Sequence, residues 1–144
     1  MLFIRMSFSL NRHIPKSPHT LFRIFFSALA QGLQASASES GSVTPQVWGQ
    51  ALNSALTKLY AYTRARPPSR TLVDPLSAFI ETFFNSGYNF SLANKSAGEA
   101  AVATKDLEAK AGRSVYIEGD RLQKEQVPDP GAWGVKTIFE NLVI

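Results

Sequence analysis

Ser69-Arg70-Thr71-Leu72-Val73-Asp74-Pro75-Leu76 is the stretch on which the reading of this chain turns. It follows the Pro67-Pro68 break and runs into apolar sequence, which marks a loop feeding a helix that starts at Asp74-Pro75. Arg70 and Asp74 stand four residues apart, so a helical segment puts them on one face as a surface ion pair. The planar fork of Arg70 could instead hold a phosphate or a carboxylate. On residue chemistry alone the ion pair is the better reading.

Working outward, the same punctuation recurs. Downstream, Leu76, Phe79, Ile80 and Phe83 form an apolar helical stripe that stops near Asn85-Ser86-Gly87. Upstream, Thr44-Pro45 pairs a cap with a first-position proline. The helix it opens carries Trp48, Leu52, Ala55, Leu56, Leu59 and Tyr60 on one face and runs to about Thr63. Before it, Leu21, Ile24, Phe25, Ala28 and Leu29 follow helical spacing from Thr20, with Gly32 as the expected stop and Ala35–Gly41 as a loop. After Ser91, one face holds Ala93, Ala97, Ala100, Ala101, Thr104, Leu107 and Ala111, a run of small residues suited to close approach by a neighbour. Gly112 ends that segment, a long polar loop runs from Arg113 to Pro128, and Asp129-Pro130 opens a last helix with Val135, Ile138, Phe139 and Leu142. No stretch alternates with a period of two, so the fold class is all-α, with about five helices.

The 144 residues suffice for one core. The absence of cysteine excludes disulfides, thiolate chemistry and Cys-based zinc sites. The net charge of +4 comes from Arg5, Arg12, Lys16 and Arg23, because the other eleven basic residues balance the eleven acidic ones. The chain beyond residue 38 is therefore neutral, which argues against a nucleic-acid partner. His13 and His19 are the two histidines, so histidine acid–base chemistry is excluded from Glu39 onward. No apolar run reaches the length of a membrane span. Residues 1–19, interrupted by Pro15 and Pro18, read as an unstructured or non-native leader ahead of a domain over residues 20–144. Their Arg and Ser without acids also resemble a transit peptide.

Few residues carry obvious chemistry. The first turn at Asp129-Pro130-Gly131 presents unsatisfied N–H groups that favour an anion such as a nucleotide phosphate, but on the residues alone plain capping by Asp129 is the better reading. Arg113, between Gly112 and Ser114, invites the same two readings as Arg70. Lys105 and Lys110 read as solvent-facing. There is no Walker-type phosphate loop and no dinucleotide fingerprint. Asp106, Glu108, Glu118 and Asp120 lack the spacing of a magnesium or calcium loop, so no metal ligand and no catalytic residue is assigned.

Four pieces in order resemble the ATP-binding, DhaL-type domain of the dihydroxyacetone (glycerone) kinase family, from Leu21 almost to the C-terminus. Ile24 to Leu33 is similar to the helix after the family's phosphate loop. Arg70-Thr71-Leu72-Val73-Asp74 resembles its Arg-Thr-Met-Val-Asp segment, and Gly112-Arg113-Ser114-Val115-Tyr116 its Gly-Arg-Ala-Ser-Tyr signature. Asp129-Pro130-Gly131-Ala132 matches the family's Asp-Pro-Gly-Ala. The resemblance implies an antiparallel helical barrel, here incomplete, and an ATP-dependent phosphotransferase acting on dihydroxyacetone or glyceraldehyde. It assigns nucleotide contacts to Arg70, Thr71, Leu72, Asp129, Pro130 and Gly131, with ATP and magnesium as cofactors and a cytoplasmic location.

The departures are equally specific. Pro15-Lys16-Ser17-Pro18-His19 stands near the family's glycine-rich phosphate loop, and proline removes both donors and backbone freedom there. The family's magnesium-binding aspartates and its separate triose-binding domain have no counterpart in this sequence. The expectation is a part of a glycerone kinase that is inactive alone and binds nucleotide weakly or not at all. Its partners would be a substrate-binding kinase domain or a second copy, with no nucleic acid and no membrane. The alternative is a non-catalytic helical module that binds or regulates a kinase, and a phosphate-relay subunit is a more distant one.

Overall fold

A computed structural model describes residues 18–108 and 124–142. Within them the chain forms five α-helices and no strand, in the order α1 (Pro18–Ser40), α2 (Pro45–Tyr60), α3 (Val73–Asn85), α4 (Phe90–Ala103) and α5 (Pro130–Glu140), with a 3-10 turn at Thr104–Asp106. The all-α expectation holds. Residues 1–17 of the expected leader and the stretch containing Gly112 to Tyr116 lie outside the described residues.

Short connections pair the helices as two hairpins, α1 with α2 and α3 with α4. α3 also meets α2, and α5 lies against α4 and α3. The core is aromatic where α3, α4 and α5 meet. Phe79 stacks on Phe139 with ring centroids 3.9 Å apart, while Phe90 meets it edge-on at 5.5 Å. The alanine run behaves as its composition suggests: Ala93, Ala97 and Ala101 are all fully buried on α4, the helix shared by α3 and α5.

Several boundaries differ from the sequence reading. α1 does not stop at Gly32 and has no loop over Ala35–Gly41; it continues to Ser40. A Cβ at Gly32 would lie 3.3 Å from Ala51, so this glycine serves close approach of α1 to α2. Gly41 ends the helix instead, with φ +70° and its N–H on Ala37 O at 2.9 Å. α2 opens as read, with Val47 N donating to the Thr44 hydroxyl, but stops at Tyr60. There Arg66 folds back to donate to the carbonyls of Tyr60, Thr63 and Ala65, its guanidinium 3.8 Å from the Tyr60 ring centroid. α4 ends at Ala103, well short of Gly112.

Trp48 was expected on the buried face of α2 and is 42% exposed; Val47 and Ala51 take the core positions. Trp48 instead rims an apolar cleft of about 640 Å³ between the hairpins and α5, with Phe22, Phe26, Phe83, Tyr88 and Ile138 among its lining. Among the described residues no helix is long and apolar enough to cross a membrane.

Phe79 joins three elements at once. Phe79→Ala is expected to cost about 3–5 kcal/mol, read as a lower urea midpoint at unchanged m-value.

Candidate functional site

The loop before α3 is built around a carboxylate. Asp74 lies inside the first turn of α3, not at its cap, and its side chain reaches back over the loop. Oδ1 accepts from Ser69 N at 2.9 Å, and Oδ2 accepts from Thr71 N at 2.8 Å and from the Ser69 hydroxyl at 3.2 Å. The Ser69 and Thr71 hydroxyls lie 2.9 Å apart, and Val73 N donates to Thr71 Oγ1 at 3.2 Å. Every polar group of this collar is buried. Closing so tight a loop leaves Arg70 in the left-handed region, at φ 55°.

The expected Arg70–Asp74 surface ion pair does not form. The i,i+4 argument requires both residues to be helical, and Arg70 precedes the helix on a left-handed backbone. Its side chain is 2% exposed and runs away to distant parts of the chain. Nη1 donates to Thr104 O at 2.5 Å and to Leu107 O at 3.3 Å, and Nη2 donates to Val127 O. Among the described residues Arg70 has no salt bridge, and its Nε is buried without a partner. One acceptor, Thr104 O, is at the C-cap of α4, where the helix dipole favours a cation.

Thr104 and Asp129 complete the arrangement. Thr104, fully buried, donates its hydroxyl to Ala101 O at 2.6 Å and accepts from Asp129 N at 2.9 Å. Asp129 caps α5 as its spacing indicates, with Oδ2 accepting from Ala132 N at 2.9 Å. A Cβ at Gly131 would lie 3.3 Å from Leu72 Cβ and 3.1 Å from Asp129 Oδ2. An added Cβ would crowd both, so glycine here eases the first turn of α5 onto the Arg70–Leu72 loop.

The structure therefore brings Arg70, Thr71, Leu72, Asp129 and Gly131 into one buried junction, while Pro130 stays exposed at its edge. Arg70 sits behind the junction, on backbone carbonyls. Thr104 is the residue that sequence reasoning missed as a connector. Its only signal was its position at the end of the alanine run, which reads as packing. Lys105 is half-buried, not fully solvent-facing, whereas Lys110, Arg113, Glu118 and Asp120 lie outside the described residues. Among the described residues no three His, Asp or Glu side chains converge as a metal site.

This junction is assembled from two of the four segments whose sequences carry the resemblance. A family model described as the DAK2 domain matches residues 19–143. The chain belongs to the DAK2 domain family. Among its relatives, dihydroxyacetone kinase of Pichia angusta is 40% identical over 127 residues, covering 84% of this chain and 21% of that protein. Dihydroxyacetone kinase 1 of Saccharomyces cerevisiae is 40% identical over 116 residues, 80% of this chain and 19% of its own length. Triokinase/FMN cyclase of Bos taurus is 33% identical over 149 residues, 99% of this chain and 24% of that protein. This DAK2 chain thus spans about a fifth to a quarter of the length of the curated relatives it matches.

Asp74 gives the junction a direct test. Asp74→Ala leaves the buried amides of Ser69 and Thr71 without their acceptor, at an expected cost of about 2–4 kcal/mol in urea unfolding. A surface ion pair of the kind expected from spacing would cost under about 1 kcal/mol.

Proposed function

We propose that this DAK2 chain supplies one wall of the ATP site of a glycerone-kinase-type enzyme and does not phosphorylate dihydroxyacetone alone. The observation that carries the reading is the meeting of Leu72 with Gly131, which joins the two motif segments at the N-terminal end of a capped helix. Such an end favours phosphate, and a glycine in its first turn permits close approach. The names of the relatives, dihydroxyacetone kinase and triokinase, support the substrate class. In this proposal Thr71, Leu72, Pro130 and Gly131 form the wall, with Asp129 and Arg70 holding it from behind. Closure of the helices into a barrel is part of the same proposal.

Magnesium does not fit the described residues. Both oxygens of Asp74 accept from the collar, and Asp129 is engaged by the Ala132 amide. Phosphoryl transfer depends on a metal to neutralise charge between the phosphates. The proline-bearing stretch Pro15 to His19 is also a poor replacement for a glycine-rich phosphate loop. Both features argue for an incomplete site.

A second reading, a helical module that binds a kinase, is favoured by the apolar cleft between the hairpins and α5. It predicts a stable complex with a full-length dihydroxyacetone kinase.

Amide NMR with millimolar ATP tests the first reading. The shifts should concentrate on Thr71, Leu72, Gly131 and Ala132, while calorimetry with and without magnesium registers little heat. Absence of shifts at these amides would overturn the wall. Tight, magnesium-dependent binding would overturn the incompleteness.

A further inference from the structure

We propose that Arg70 is a positioning residue of this junction: its guanidinium ties the end of α4 to the approach to α5, and so holds Gly131 against Leu72 without touching a ligand. The inference rests on the nucleotide-wall reading for what the junction binds, but not for what Arg70 does.

Three observations converge on it. The acceptors of Arg70 are main-chain oxygens 34, 37 and 57 residues further along, so one side chain fastens both Thr104–Leu107 and Val127. Val127 is two residues before the cap of α5. Fixing its carbonyl limits where Asp129, Pro130 and Gly131 can lie. The Thr104 hydroxyl adds a second tie between the same two segments, through Asp129 N.

The backbone supports this role. A left-handed conformation at an arginine is unfavourable and persists where surrounding bonds hold it in place. Here the Asp74 collar brackets the residue, engaging the amides of Ser69 and Thr71 on either side of Arg70. Together the collar and the three carbonyls determine both ends of the side chain.

A direct phosphate contact fits less well. Both terminal nitrogens are already donating to carbonyls, and Nε is buried. A phosphate would have to displace all three carbonyls, and with them the ties from this side chain to Thr104, Leu107 and Val127. The planar fork that suits anions suits these carbonyls too, and lysine lacks it.

The test is amide hydrogen exchange on the full chain without nucleotide, comparing the natural protein with Arg70→Met and Arg70→Lys. Methionine keeps much of the apolar stem and removes every donor. In R70M the amides of Leu107, Asp129 and Ala132 should exchange about tenfold faster or more, while those of Ala51 to Leu59 in α2 stay unchanged. R70K should show the same pattern at reduced size, because an ammonium can satisfy only part of the set. If R70M does not fold, R70K carries the test. Natural-like protection at these three amides in R70K, or in a folded R70M, would overturn the proposal. So would equal acceleration throughout α2, which would mark a merely global loss of stability. Since no nucleotide is present, failure here leaves the ATP reading standing, and failure of ATP to shift Leu72 and Gly131 leaves this one standing.

Discussion

The guanidinium of Arg70, 2% exposed, lies among the carbonyls of Thr104, Leu107 and Val127, and its burial constrains the segments around it. An unpaired charge away from water is costly unless its donors are satisfied. Here the two terminal nitrogens are satisfied where the end of α4, the turn after it and the approach to α5 converge on one point, and Nε is not. The same convergence gives Thr104 O, the carbonyl at the C-cap of α4, a second donor beside Leu107 N. A cation at that end is favoured by the dipole as well as by hydrogen bonding. One side chain thus couples helix termination to tertiary packing.

Asp74 and Asp129 do complementary work with similar chemistry. Each carboxylate accepts backbone N–H groups, Asp74 in the loop before α3 and Asp129 at the start of α5. Acidic residues used in this way fix the course of the backbone around them. The junction is buried and held largely through main-chain groups. In the proposed kinase setting, such a wall contributes position, while metal and phosphate loop contribute charge neutralisation.

Small residues set how closely the pieces approach. Gly131 admits Leu72, Gly32 admits Ala51, and the buried alanines of α4 leave room for its neighbours. The larger aromatics then fill the space between α3, α4 and α5, with the Phe79–Phe139 stack among them. Beyond that stack the packing opens into the apolar cleft rimmed by Phe26 and Trp48.

The sequence by itself determined the helical class, the Thr44 and Asp129 caps, the stripe Leu76-Phe79-Ile80-Phe83 and the close-packing face of α4. Each of these depends on periodicity or on a side chain bonding within three residues, so local order carries the information. It also carried the family, through four short motifs in the right order. Only the tertiary structure decided what Arg70 and Asp74 do. Their spacing read as a helical pair, but the left-handed turn at Arg70 separates them, and the partners of Arg70 lie 34 to 57 residues away. Gly32 was likewise read as a stop from its local propensity, whereas its neighbour Ala51 belongs to another helix. Bonds across such separations leave no periodic trace in the chain, because they depend on where the helices have already been placed.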